Sequence, residues 1–413
     1  MLQRNRLSDP VFAALARALD GHTLTFEESL PLARVIGPEL LAMQQVADEL
    51  RERQVGDRVT YVVNRNINFT NVCIKHCGFC AFSRDFRTEE GYHLEDEEIL
   101  RRVQQAVDFG ATEVCIQAGL PPKMEGDLYI QLTRKIKARF PDLLMHAFSP
   151  EEVLYGSIRS RCSIAEYLSE LKKAGLDSLP GTSAELLIPG LRDQVAPGRI
   201  TVDQWMEVIR GAHALGLPTT STMMYGFVEQ PEDWLQHMLL LRNLQEETGG
   251  FTEFVPLGFV HSEAPMYLRK NPGVRAGASG VEVLRVHALA RLFLGTRIPN
   301  LQVSWVKEGL KLAQGLLMSG VNDLGGTLIN ESISTAAGSG HGQRTSPATL
   351  HQLIEEVGRR PAQRNTKYQI LREFSPGEAP NSPLDNLGDE NPFGSYQQLV
   401  KSEEHRYRRP VAR

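Results

Sequence analysis

Long apolar runs are missing from this chain. No stretch approaches the roughly 18 uncharged apolar residues that a helix needs to cross a bilayer. The opening Met-Leu-Gln-Arg-Asn-Arg-Leu-Ser-Asp-Pro holds no apolar core of the signal-peptide kind. Excess positive charge is missing too. The formal net charge is -5 and the pI about 6.2, which excludes a nucleic-acid footprint over the body. Cysteine is scarce: there are five, three of them crowded into one loop, which is no disulfide framework. These absences predict a chain of the reducing cytoplasm, bound neither to membrane nor to nucleic acid. At 413 residues it is one large domain with appendages, or two average ones. A body of about 300 residues buries roughly three quarters of its unfolded surface, so its core needs no covalent staples. The basic end, with Arg406, Arg408, Arg409 and Arg413, reads as solvated.

From about residue 58 to 358, short apolar runs alternate with amphipathic stretches. Several of these stretches end in glycine just before the next run: Gly110, Gly175, Gly216, Gly250 and Gly320. Glycine enters the left-handed region without strain and so closes helices. Residues 59–68, 143–148 and 301–305 bring the predicted strands to eight. Ser149-Pro150-Glu151-Glu152 and Thr201 with Gln204 are capping boxes that open helices. Strands and helices alternating at this spacing mean parallel βαβ units, and eight of them predict a closed (β/α)8 TIM-type barrel. A doubly wound open sheet is the alternative. The expected domains are an N-terminal helical extension over 1–55, with helices opened by Asp9-Pro10 and by Thr25 with Glu28, the barrel over 56–360, and an irregular, partly disordered C-terminal extension over 361–413.

Cys73, Cys77 and Cys80 stand in Cys-Ile-Lys-His-Cys-Gly-Phe-Cys, directly after the first predicted strand. A structural zinc site is closed by four protein ligands, and an electron-transfer cluster usually takes four thiolates. Three thiolates hold a cubane cluster and leave one iron open to a small molecule. His76 abuts Cys77 too closely for easy tetrahedral ligation with it, and Cys115 and Cys162 read as ordinary thiols. Chemistry in such barrels sits at the C-terminal ends of the strands, so the loop falls at the barrel mouth.

CxxxCxxC with an aromatic before the last cysteine, directly after strand one of a barrel, resembles the radical S-adenosylmethionine (SAM) superfamily. The resemblance implies one 4Fe-4S cluster on the three cysteines, with SAM chelating the open iron and cleaved by one electron to a 5′-deoxyadenosyl radical. It places Phe79 near adenine. It assigns Gln117 and Gly119, flanking Ala118 where many relatives have glycine, to the methionine end of SAM. Ser183 and Glu185 fall to ribose or methionine groups, or else to loop stabilisation. Residues 68–85, His-Ala-Phe-Ser-Pro-Glu-Glu (146–152) and Pro-Gly-Thr-Ser-Ala-Glu (180–185) occur together as in enzymes that make deazaflavin and menaquinone precursors. Phe-Val-His-Ser-Glu-Ala-Pro-Met-Tyr (259–267) and Gly-Val-Asn-Asp-Leu-Gly-Gly-Thr (320–327) are similar to the tyrosine-using FO synthase subunits, although Gly258 stands where that family leads one to expect proline.

The narrower resemblance implies a transferase that breaks the Cα–Cβ bond of L-tyrosine and couples the 4-hydroxybenzyl group to 5-amino-6-(D-ribitylamino)uracil. Methionine, 5′-deoxyadenosine and 2-iminoacetate would be released. A ferredoxin or flavodoxin would supply the electron, and a ring-closing FO synthase subunit would complete the deazaflavin FO. His261 and Glu263 are the candidates to bind or deprotonate substrate, His261 because its charge changes near neutral pH. The alternative for His261 is a loop histidine with its hydrogen bonds satisfied. Asn322, Asp323 and Glu331 are expected at the catalytic end of strand eight. Lys307 either meets a carboxylate or caps a surface. Rival readings are a menaquinone-pathway enzyme (aminofutalosine synthase or dehypoxanthinyl futalosine cyclase), a non-catalytic iron–sulfur carrier and a zinc structural protein.

Overall fold

A computed structural model describes residues 4–388 and 390–408. Arg409 and Arg413 of the basic end, and the first three residues, lie outside the described residues.

The first barrel strand is one run with a break at Val63, Arg58–Val62 and Asn64–Ile67. Its second half pairs with Glu113–Ile116, which pairs with Leu144–Ala147. Thr219–Tyr225 pairs with Phe251–Gly258. Asp323–Gly326 returns to the first strand through Thr60↔Asp323 and Val62↔Gly326. All these pairings are parallel. The expected fourth and seventh strands shrink to bridges: His146↔Ser178 and Leu179↔Thr219, then Phe254↔Leu301 and Gln302↔Asp323. Pro180 follows the fourth at once and has no N–H to extend a ladder. The ring is closed, so the barrel holds and the open sheet falls.

The helices between start as their sequences direct. Ser149 with Glu152 and Thr201 with Gln204 form complete capping boxes. Gly175 ends its helix in the left-handed region at φ 109°. One junction shifts: the helix Pro231–Thr248 is closed by Gly249 at φ 66°. Gly250 instead lies against His213, where a Cβ would stand 2.2 Å from the ring.

In the N-terminal extension, Asp9–Leu19 buries Val11, Ala14, Leu15 and Ala18. The Thr25–Glu28 box opens a helix of only four residues, Phe26–Ser29. A third helix, Gly37–Val55, lies against Gly280–Leu294 on the barrel. No helix among the described residues is long and apolar enough to cross a membrane.

The C-terminal end departs most from expectation. Residue 360 falls inside a strand, Arg360–Arg364, which runs parallel to the first strand through Val59↔Pro361 and Thr60↔Ala362. The chain then turns into the barrel base. Arg364 grips Asp323 with Nε–Oδ2 at 2.5 Å and Nη2–Oδ1 at 3.0 Å. Tyr368 donates its hydroxyl to Glu253, and Thr366 pairs with Ser178 at 2.7 Å. Ile370–Glu373 pairs back antiparallel. Further on, Phe393, Tyr396 and Leu399 are buried, and the Tyr396 ring lies 5.8 Å from Phe82 beside the cysteine loop. Pro361 and its polar neighbours carry no local strand signal; partners far away in sequence make this strand.

Candidate active site

The cysteine loop leaves the top of strand one and is tied down by three other segments. Ile74 N–H donates to Leu120 O at 2.9 Å, beyond strand two. Gly78 donates to Val195 O at 2.8 Å and accepts from Met266 N–H at 2.7 Å, beyond strand six. Gly119 touches the loop itself: a Cβ there would stand 2.3 Å from Val72 O, so only glycine lets strand two come this close. The loop walls a cavity of about 250 Å³ at the barrel mouth, and Cys73, Cys77 and Cys80 all line it.

All five cysteines are free thiols. His76 is exposed and outside this cavity. Among the described residues no three His, Cys, Asp or Glu side chains converge on one ion. Three thiols around one cavity suit a cluster that takes one thiolate per iron and leaves one iron open. A structural zinc ion needs a fourth protein ligand, and His76 is outside the cavity. The donor set therefore fits a cubane cluster.

Charge at the cavity is organised by Arg199. Its Nη1 stands 3.3 Å from Cys77 Sγ, and its guanidinium meets Glu151 at 3.0 Å and Glu185 at 3.4 Å. Lys75 shares Glu151 at 3.2 Å. Burial pushes the Cys77 thiol up to about 12, so a cation beside the sulfur is what favours its ionised form. Burial also raises the Glu152 carboxyl to about 7. Glu152 accepts from Ser149 N–H at 2.7 Å and Ala118 N–H at 3.0 Å, pinning the strand-three helix to the end of strand two. No sequence pattern pointed to Arg199, which follows Gly198 in a loop.

Phe79, Gln117, Gly119, Ser183 and Glu185 all line the cavity. Phe79 lies under Arg199 at 5.9 Å. The N–H groups of Ala118 and Gly119 are spent on Glu152 and on Thr70 O. These two residues therefore offer a ligand carbonyl oxygen, the right polarity for an amine. Ser183 and Glu185 have φ of 61° and 40°, left-handed values that side chains rarely adopt and that gather at functional sites. Arg192 holds this turn by donating to Ser183 O at 3.0 Å and Ile200 O at 2.8 Å.

The strand-six and strand-eight expectations are redistributed. His261 lies in a smaller cavity of about 240 Å³, with its ring 4.6 Å from Tyr267. That cavity shares Gly258, Phe259, Val260 and Lys307 with the larger one. Glu263 is exposed and lines neither cavity. Asn322 and Asp323 belong to the base, because strand eight begins at Asp323 rather than ending there. Asn322 is held by Arg291 at 2.7 Å. Glu331 caps the next turn through Ser334 N–H at 2.9 Å. At Gly258 a Cβ would stand 2.3 Å from Oε1 of Glu308, the end of a flexible side chain that would have to shift.

Comparison with known proteins agrees with this geometry. Residues 67–241 match the Radical SAM superfamily, and 248–376 match the CofH/MqnC C-terminal region. The chain is 47% identical over 359 residues to 5-amino-6-(D-ribitylamino)uracil–L-tyrosine 4-hydroxyphenyl transferase of Methanothermobacter thermautotrophicus, covering 87% of this chain and 97% of that protein. It is 45% identical to FO synthase of Mycobacterium leprae over 88% of this chain but only 42% of that longer protein. Among solved structures, methylornithine synthase (PylB) superposes with TM-score 0.67 at 17% identity, covering 84% of this chain and 97% of that one. The hydrogenase maturase HydG gives TM-score 0.68 at 17% identity over 88% and 78%. At such identities these two structures speak for the fold alone.

Proposed function

The chain belongs to the radical SAM superfamily, in the branch of the tyrosine 4-hydroxyphenyl transferases, and from that membership we propose that it joins the 4-hydroxybenzyl group of L-tyrosine to 5-amino-6-(D-ribitylamino)uracil. Near-full-length identity of 47% to an enzyme named for this reaction carries the reading. The family's cofactors are a 4Fe-4S cluster and SAM, which when bound supply a hydrogen-abstracting carbon radical by one-electron cleavage of SAM.

What the chain contributes is holding, orientation and dryness. Cys73, Cys77 and Cys80 would hold the cluster, with Arg199 donating to the Cys77 thiolate and offsetting its charge. Phe79 would pack on adenine. The Ala118 and Gly119 carbonyls would take the methionine amine, and the strained turn would present the Ser183 hydroxyl, which has no hydrogen-bond partner among the described residues, together with the Glu185 carboxylate. The apolar walls Leu120, Met224, Leu257 and Phe259 would exclude water from the reacting atoms. His261, in the adjoining cavity, would serve substrate N–H or O–H groups there. Glu263, facing solvent, would not.

FO synthase is the longer relative, of which this chain covers 42%. A ring-closing FO synthase subunit would use the adduct. The electron would come from a ferredoxin or flavodoxin. Five free thiols suit the reducing cytoplasm. The test is anaerobic turnover of reconstituted protein with dithionite, SAM, L-tyrosine and the ribityl-diaminouracil, followed by mass spectrometry. Hydroxybenzyl–uracil adduct only when both substrates are present is the expected result. 5′-Deoxyadenosine without adduct would refute the substrate assignment.

A further inference from the structure

Three cations line the main cavity: Lys75, Arg199 and Lys307. Two are neutralised where they stand, Lys75 by Glu151 at 3.2 Å and Arg199 by Glu151 and Glu185 at 3.0 and 3.4 Å. Lys307 has no ion pair among the described residues. Its ammonium donates to Ser334 Oγ at 3.2 Å, one bond for a group with three donors. The two carboxylates that act on it most are engaged elsewhere. Glu308 accepts the Tyr225 hydroxyl at 2.7 Å, and Glu331 caps Ser334 N–H at 2.9 and 3.0 Å.

Lys307 follows strand seven and lines both cavities, so it stands where the two meet. An unpaired cation in such a wall is costly, and a folded chain gains nothing from it until an anion arrives. We propose that Lys307 binds the α-carboxylate of the amino-acid substrate. This rests on the transferase reading above. Of the groups the two substrates bring, the carboxylate is the one anion at neutral pH, since a phenol ionises near 10. Binding it at the junction would aim the amine and the Cα–Cβ bond into the cysteine-lined cavity. The SAM carboxylate is the rival anion, and SAM binding is therefore measured beside tyrosine binding to separate the two.

The test measures binding of L-tyrosine, tyramine (which lacks the carboxylate) and SAM to reconstituted wild type, Lys307→Met and Lys307→Arg. Loss of a charge-assisted bond predicts about 10- to 100-fold weaker L-tyrosine binding in Lys307→Met. Tyramine and SAM binding stay unchanged, and Lys307→Arg recovers part of the loss. Lys307→Met should unfold no earlier than wild type, because it removes a half-buried charge that has no ion pair among the described residues. The assignment is overturned if Lys307→Met keeps the wild-type preference for tyrosine over tyramine, or if SAM binding falls instead. Normal adduct formation with an unchanged KM for tyrosine would sink the lysine alone. Wild type that makes no adduct and binds neither amine sinks the transferase reading with it.

Discussion

Replacing Gly119 by alanine puts a Cβ 2.3 Å from Val72 O and 2.8 Å from Val72 C, with Asn71 C at 3.1 Å. All three are backbone atoms, so no side chain can swing aside. Opening the contact from 2.3 to 3.0 Å, the closest that real Cβ atoms reach, takes about 0.7 Å. That shift must come from the cysteine loop or from the end of strand two. These two are tied together by Gly119 N–H to Thr70 O at 2.8 Å and Ile74 N–H to Leu120 O at 2.9 Å, so moving one strains the other. Overpacking of this kind costs about 1–3 kcal/mol. Unfolding entropy of about 2.1 cal/mol/K per residue over 413 residues is roughly 0.9 kcal/mol/K, so the melting temperature should drop by only about 1–4 °C. Cluster assembly is the more sensitive readout, because Cys73 lies next to the displaced Val72. Gly119→Ala should fold, yet hold markedly less iron after reconstitution and give a weaker EPR signal on reduction. Gly315→Ala, whose Cβ meets nothing within 4 Å, is the control and should match wild type in iron content. Wild-type melting and full iron content in Gly119→Ala would refute the reasoning.

At the opposite end of the barrel, Arg364→Met leaves Asp323 and Glu253 buried without their cation. It should cost about 3–5 kcal/mol while leaving iron content per folded molecule intact, as thermal melting and iron analysis would report. Serine at Cys73, Cys77 or Cys80 should abolish the reduced-cluster EPR signal, whereas Cys115→Ala and Cys162→Ala should retain it; equal loss at all five would contradict the ligand assignment. Acid should destabilise the fold through buried histidines. Burial pulls His237 down to about 3, where it stays neutral between Leu187 N–H at 2.9 Å and Thr222 O at 2.9 Å. Because this folded value lies below the unfolded one near 6.5, the stabilisation is whole above 6.5 and drains away as pH falls from there toward 3. His237 alone should remove about 2 kcal/mol between pH 7 and pH 5, read from denaturant midpoints, and His237→Gln should flatten the slope by that amount.

Much was legible because it is local. The cysteine spacing, the Ser149–Glu152 and Thr201–Gln204 boxes and the alternation of strand with helix depend on residues a few positions apart. Chain order alone then assigns the cysteine loop and the 117–119 and 183–185 turns to one end of a barrel. Features that depend on partners far along the chain were not legible. Asn322 and Asp323 look like site residues, but the strand starts at Asp323, which puts both at its base and not at the mouth. Glu263 sits in a motif with His261, yet the turn leaves it in solvent.

By itself, the sequence determined the chemistry this protein is equipped for, since three thiolates one ligand short of closure and eight βαβ repeats are facts of spacing. Only the tertiary structure decided which charges are spent and which are free. Arg199, in an unremarked loop, lands on Cys77 and two glutamates, while Glu308 and Glu331 are drawn away to Tyr225 and to a helix cap. Lys307 is left without an ion pair among the described residues as a result. A charge's worth depends on what lies within a few ångströms, and those neighbours come from strands that only the closed barrel brings together.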